Sequence, residues 1–237
     1  MNEMISKTIR RLRARGYRIA GIHLESDESS LSQEFRETCD LSSIQPRPKG
    51  LNPVTNARKA SQLLLGGLRD IMAAAARETA RAIVYMEGDK FSFVPQVGAM
   101  AAPILSGRAD ATLAVRSPRG FSQFPRVQQL VEWGVNRYIG SQTGVRTDYL
   151  YGPRAFSPEV ASLVREYRKD DWGVMTYPVI AAIARGYRFE AVEVSGEPQP
   201  AYMQKYDAIM RSPPGHLIWR SIQNIGIVRA ARAAVRR

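Results

Sequence analysis

The sequence is poor in the residues that form disulfides and metal clusters. Its 237 residues contain one cysteine, Cys39, and only two histidines. A single cysteine cannot form an internal disulfide, and Cys39 has no cysteine or histidine neighbour at metal-ligand spacing. We therefore interpret Cys39 as a packed or surface thiol rather than as a ligand or a redox partner.

Long apolar runs are also absent. No run approaches the roughly 20 residues of a membrane-spanning helix, and no signal-peptide pattern opens the sequence. With 44% hydrophobic and 24% charged residues, the composition is typical of a globular protein and not of a disordered one. We therefore expect a cytoplasmic protein with a sizeable core.

Acidic residues are outnumbered by basic ones. The sequence has 34 Lys plus Arg against 22 Asp plus Glu, which gives a net charge of +12. Such an excess favours anionic partners, namely nucleotides, phosphorylated substrates, nucleic acid or an anionic membrane surface. Charge alone does not choose among these partners, and generic nucleic-acid binding has no other support.

Helical and strand patterns alternate along the chain, which predicts an α/β fold. Residues 17–24 (YRIAGIHL) and 81–86 (RAIVYM) are typical of strands, and Ser157 with Pro158 predicts a capped helix start. Residues 124–140 have the clearest helical pattern. The apolar residues of that pattern are Val127, Leu130, Val131, Gly134, Val135, Tyr138 and Ile139.

The C-terminal segment is predicted to be a basic amphipathic helix. We divide the chain into a domain of residues 1–214 and this helix, residues 215–237. Its apolar residues include Leu217, Ile218, Trp219, Ile222, Ile225 and Val228, and its basic residues are Arg220, Arg229, Arg232, Arg236 and Arg237. The helix could lie on an anionic membrane. Packing on the domain, or on a second subunit, is the commoner use of such a helix and is favoured here.

Two carboxylates, Glu87 and Asp89, follow the predicted strand 81–86 in the motif EGD. Ligands of open α/β sheets gather at the carboxyl ends of strands. Mg²⁺ and Mn²⁺ favour one or two carboxylates, with water and phosphate oxygens as the remaining ligands. The motif therefore indicates either a divalent cation site or a solvated turn.

The order of these features resembles the GT-A glycosyltransferases, specifically the family 2 group that includes dolichyl-phosphate mannose synthases and glycerate-linking synthases. The resemblance covers most of residues 17–194. Its segments are YRIAGIHLESDESS, RPKGLNPVTNARKASQLLLGGL, AIVYMEGDKFSFVPQVGAMAAPILSGRADATLAVRS, and TDYLYGPRAFSPEV followed by DDWGVMTYPVIAAIARGYRFEAVEV. It implies a GT-A-like three-layer sandwich with a mostly parallel sheet.

The resemblance also implies an activity. It is the transfer of a sugar from a nucleotide diphosphate sugar to a small or lipid-phosphate acceptor, with Mg²⁺ or Mn²⁺ at the leaving diphosphate. Asp89 matches the second Asp of the family's Asp-x-Asp motif, and Glu87 replaces the first. His216 matches a late histidine that returns to the cation in several relatives; otherwise it is only a helix-terminal residue.

Four more positions gain roles from the resemblance. Asp27 and Lys49 match nucleotide-binding positions, although Asp27 could instead cap a helix and Lys49 could be a solvated loop residue. Asp171, in the DDWG segment, is the first candidate for the base that takes the acceptor proton. Asp148 could orient the acceptor or act as the base, or it could be a buried Asp that holds the Gly-rich connection.

The sequence departs from the family at one point, because the first strand and its Pro-aromatic-Asn-Glu turn have no counterpart. This departure supports an alternative function, a non-catalytic GT-A-like subunit that binds a partner through its basic C-terminal helix. A homodimer and a peripheral membrane contact stay open at this point.

Overall fold

The structure is a computed structural model that describes residues 3–24, 37, 39–45, 53–87, 91–124, 126–194 and 213–236. The helices are α1 (Glu3–Arg13), α2 (Pro53–Ala75), α3 (Val97–Leu105), α4 (Pro118–Ser122), α5 (Arg126–Thr143), α6 (Pro158–Ser162), α7 (Gly173–Ala184) and α8 (Pro213–Val235). The strands are β1 (Ala20–Leu24), β2 (Leu41–Gln45), β3 (Ile83–Tyr85), β4 (Ala111–Arg116), β5 (Arg154–Phe156) and β6 (Phe189–Val194). Among the described residues, Phe91–Gln96 and Leu163–Glu166 form short 3₁₀ helices.

The described strands form two sheets, which confirms the predicted α/β class. β1 and β2 form a parallel pair, with Ala20 opposite Leu41. The larger sheet has the order β3-β5-β4-β6, in which β4 and β6 are parallel. β5 is antiparallel to both of its neighbours, so the larger sheet is mixed.

Helices cover both faces of the larger sheet, which gives three layers. Side chains of a strand alternate between faces, and on β4 Leu113 packs with the cluster of α7 and α8, whereas Ala114 packs with α3. Phe156 and Ala155 on β5 divide in the same way. β4 and β5 are the most deeply buried strands of this sheet, and their residues are apolar apart from Thr112, Arg116 and Arg154.

Helix α6 begins as its sequence predicts. The Ser157 hydroxyl accepts a hydrogen bond from the backbone N–H of Val160, at 3.3 Å, and Pro158 occupies the first helical turn. The cap satisfies one of the N–H groups that have no partner within the helix.

Helix α8 packs on its own domain. Its core-facing residues belong to the same buried cluster as β4, α2 and α7. These residues are Ile227, Ala230, Ala231 and Ala234. The packing agrees with the use of this helix favoured on sequence grounds. Within the described part of the chain, no helix is both long and apolar enough to cross a bilayer.

Helix α5 is confirmed, but its orientation differs from that suggested by its apolar pattern. Val127 and Leu130 are 53% and 69% exposed, whereas Gln128 and Glu132 are buried. The reason lies on β4, where Arg116 is almost completely buried. A buried guanidinium needs hydrogen-bonded partners of opposite charge, and α5 supplies one by turning its polar side inward.

Candidate functional site

Glu87 lies at the carboxyl end of β3, as its place in the sequence predicts. Its carboxylate rests directly against Gly152, in the connection that leads into β5. A Cβ atom at position 152 would collide with both carboxylate oxygens of Glu87. Glycine is therefore required at this position for Glu87 to keep its place.

Arg154 holds the same connection in place through hydrogen bonds to its backbone. Its buried guanidinium donates hydrogen bonds to the carbonyl oxygens of Tyr149 at 3.0 Å, Gly152 at 3.0 Å and Met175 at 2.6 Å. Burial lowers the pKa of Arg154 to about 10, against the opposing influence of neighbouring Tyr85, Glu87 and Asp148. These bonds tie the turn beside Glu87 to the first turn of α7.

Asp148 takes part in a buried ion-pair network. Arg116 donates to both of its carboxylate oxygens, at 2.7 and 2.9 Å, and also to Glu132 at 2.6 Å. The Asn136 amide donates to Asp148 at 3.1 Å. Burial acts to lower the pKa of Arg116, but hydrogen bonds and charges from Asp148 and Glu132 outweigh it and raise the pKa.

Aromatic rings enclose this network. The rings of Phe121, Phe124 and Tyr151 lie 4.7 to 5.2 Å from the guanidinium carbon of Arg116. Bidentate pairing and cation–π contacts together restrict the guanidinium to one orientation. Among the alternatives for Asp148, these contacts support the buried Asp that holds the Gly-rich connection.

Asp171 and the neighbouring Asp170 point to opposite walls of a groove. Asp171 accepts hydrogen bonds from Tyr167 Oη at 2.7 Å, from the Gly173 backbone at 2.9 Å and from Arg229 on α8 at 2.7 Å. Burial and the hydrogen bond to Asp171 raise the pKa of Tyr167, so its hydroxyl stays protonated and donates. Asp170 accepts from Arg69 on α2 at 2.7 Å.

The groove runs along α2. One hollow of 340 Å³ lies between α2, the loop 169–172 and α8. A second hollow of 330 Å³ continues toward Gln45, at the carboxyl end of β2. Gln62 and Asp170 line both hollows. Basic and acidic side chains from α2 and the loop, together with Arg229 of α8, border the groove, so its walls carry charge of both signs.

Several predicted site residues cannot be placed in this geometry. Asp27, Lys49 and Asp89 lie outside the described residues, and so does the side chain of His216 on α8. Among the side chains that are described, no three His, Cys, Asp or Glu residues come close enough together to hold a metal ion. The described acids alone therefore do not form a cation site.

Sequence reasoning missed four residues that organise this region, namely Arg116, Glu132, Arg154 and Arg229. Two of them carried a signal, because Arg116 ends a buried strand and Arg154 follows the Gly-Pro of the connection. Each has at least one partner on another element: Arg116 and Glu132 are 16 positions apart, Arg154 and Met175 are 21 apart, and Arg229 and Asp171 are 58 apart. A single sequence gives no sign of such pairs.

No family model and no curated protein matches this chain. Two solved structures are similar to it, both of glucosyl-3-phosphoglycerate synthase from Mycobacterium tuberculosis. The complex with Mn²⁺, uridine-diphosphate-glucose and glycerol 3-phosphate is 15% identical, with a TM-score of 0.40 over 93% of this chain and 85% of that one. The complex with uridine-diphosphate is 13% identical, with a TM-score of 0.44 over 99% and 85%.

Proposed function

We propose that the protein is a metal-dependent glycosyltransferase that moves a sugar from a nucleotide diphosphate sugar to a small or lipid-phosphate acceptor. One observation carries the proposal, the contact between Glu87 and Gly152. It joins the carboxyl end of β3 to the connection before β5, and these are two of the segments on which the resemblance rests. Segments distant in sequence thus meet at the carboxyl end of β3, and ligands of α/β sheets commonly bind at the carboxyl ends of strands.

The proposed donor site is the region around the EGD motif. Glu87 would bind the nucleotide, together with Asp27 and Lys49, and Asp89 and His216 would hold Mg²⁺ or Mn²⁺. The cation would supply positive charge to the departing diphosphate. Glu87 is held in position by Gly152 and, through that connection, by Arg154.

The proposed acceptor site is the groove beside Asp171. The acceptor hydroxyl must lose its proton as its oxygen bonds to the sugar, and the base must lie within hydrogen-bond reach. Asp171 borders the groove, whereas Asp148 lies in the buried network with Arg116. Asp171 is therefore the better candidate, and the half-exposed Arg229 would have to release the Oδ2 atom of Asp171.

The packing of α8 bears on the alternative of a non-catalytic subunit. The buried residues of this helix contact its own domain and are not available to a partner. The buried face of α8 is therefore used within the domain, and a partner would have to bind its exposed face, where Ile225 is 57% exposed.

The test is isothermal titration with UDP-glucose and GDP-mannose, each with and without Mn²⁺. We expect metal-dependent binding of one nucleotide, with loss of that binding in Asp89→Ala. The matched control is Glu78→Gln, which removes a carboxylate that pairs with Arg18 near the amino end of β3. This control should bind as the unsubstituted protein does. No binding of either nucleotide by protein with native circular dichroism would refute the proposal.

A further inference from the structure

Helix α5 exposes apolar side chains on three successive positions of one face. Val127, Leu130 and Trp133 are 53%, 69% and 56% exposed. Residues three apart are neighbours on a helix, so the three form a continuous stripe about 9 Å long. Single exposed apolar residues are ordinary, but contiguous ones mark an interaction surface.

The stripe is exposed because the inner side of α5 makes polar contacts with β4 and with the connection before β5. Glu132 contacts Arg116 at 2.6 Å and accepts from Gln128 at 2.7 Å, and Asn136 contacts Asp148 and the Tyr149 backbone. These polar contacts fix the rotation of the helix. If the apolar residues turned inward, the buried charge of Arg116 would lose its partner Glu132.

Arginines border the stripe. Arg126 and Arg137 lie on the same exposed face of α5, and Arg119 is exposed on the preceding α4. The guanidinium of Arg137 lies 5.6 Å from the ring centre of Trp133. Within the described part of the chain, none of the three arginines forms an ion pair, and the acid of α5, Glu132, is buried.

We propose that the exposed face of α5, with Val127, Leu130 and Trp133 as its apolar stripe and Arg119, Arg126 and Arg137 as its rim, binds an anionic lipid membrane surface. Helices that lie in a membrane interface combine aliphatic and Trp side chains with Lys or Arg. Trp is stable at the level of the lipid headgroups, and Arg can reach the phosphates while its stem stays against apolar surface.

Charge argues against a second copy of the chain as the occupant. A symmetric contact through this face would place the same arginines against each other, on chains that each carry +12. The inference is independent of the proposed donor chemistry, since membrane binding can be measured without nucleotide.

The experiment is flotation of the full chain with vesicles. One set contains phosphatidylcholine and phosphatidylglycerol in equal parts, and the other contains phosphatidylcholine alone. We expect binding to the anionic set only, reduced by added salt. Leu130→Gln combined with Trp133→Gln should weaken binding at least tenfold, and Arg126→Gln combined with Arg137→Gln should also weaken it and reduce its salt dependence.

The matched control is Leu105→Gln, which removes an exposed apolar residue from α3. It should bind as the unsubstituted chain does. Because all these side chains are exposed, thermal unfolding should confirm that each variant folds. Equal binding by the stripe variant and the unsubstituted chain, no binding to anionic vesicles, or equal binding to neutral ones would overturn the proposal. If light scattering showed a dimer of the unsubstituted chain and a monomer of the stripe variant, the face would be assigned to a second copy instead.

Discussion

At the scale of single residues, Gly152 and Glu87 form the sharpest contact of the candidate site. A methyl group at position 152 would meet the flexible end of Glu87 rather than backbone. We therefore expect Gly152→Ala to change the free energy of unfolding by no more than about 1 kcal/mol. The same variant should displace the carboxylate and weaken nucleotide-sugar binding about tenfold, as substitutions behind a binding residue commonly do.

Titration calorimetry and thermal unfolding of Gly152→Ala separate these two effects. Gly134→Ala is the control, because a Cβ atom at that position would have no side chain or other element of the described chain within 4 Å. It should leave nucleotide binding unchanged. Unaltered binding in Gly152→Ala would show that the position of Glu87 does not matter to the ligand.

Cys39 gives a prediction about pH. Burial raises the pKa of its thiol from 9.0 to about 11. A pKa that is higher in the folded state contributes stability below the unfolded value, and that contribution is lost as the pH rises from about 9 to about 11. We therefore expect the melting temperature of the unsubstituted protein to fall more than that of Cys39→Ala between pH 8.5 and 10.5.

Thiol labelling checks the same burial independently. At pH 8 the folded protein should react with a disulfide reagent more than tenfold more slowly than protein in urea, since the thiolate is the nucleophile. Equal rates in the two states would contradict the buried, neutral thiol.

At the scale of elements, periodicity predicted where helices and strands form better than it predicted their surroundings. The strand before Glu87 and the cap at Ser157 follow from local rules, and both are present. The rotation of α5 does not, because it depends on Arg116, which lies on another element and is buried only in the folded chain. The antiparallel direction of β5 likewise depends on the neighbouring strands, since a strand of three residues is too short to show a hydrophobic pattern in the sequence.

The network between β4 and α5 predicts a large energetic coupling. Removing one member of a buried ion pair leaves an uncompensated charge. We expect Arg116→Met to destabilise the protein by about 3–5 kcal/mol. Combining it with Glu132→Gln should cost less than the sum of the two single changes, with a coupling above about 1 kcal/mol. Urea unfolding of the four proteins in this double-mutant cycle measures it.

Matched substitution of an exposed pair provides the comparison for that cycle. Arg18 and Glu78 lie 3.2 Å apart with side chains that are 61% and 40% exposed. Arg18→Ala and Glu78→Gln should show little coupling because water screens the pair. Additive effects of Arg116→Met and Glu132→Gln would mean that α5 is held by its apolar contacts rather than by the ion pair.

At the scale of the whole molecule, the question is whether residues 213–237 are an appendage or part of the core. The boundary proposed from the sequence, between 214 and 215, treats them as separable. The structure places Ala230 and Ala231 of α8, both fully buried, in one cluster with Leu113 of β4 and Val179 of α7. The ion pair between Asp171 and Arg229 also joins α8 to the rest of the domain.

We therefore expect deletion of residues 213–237 to abolish cooperative unfolding rather than to leave a folded domain. The deletion would open the apolar side of α7 to water, and a domain that loses one wall of its core loses specific packing first. Near-ultraviolet circular dichroism should collapse while the far-ultraviolet signal partly survives. Deletion of Arg236 and Arg237 alone, which follow Val235 in the sequence, should change neither signal. A single sharp transition in the larger deletion, as steep in urea as that of the full chain, would instead make the helix an independent unit and restore partner binding as its function.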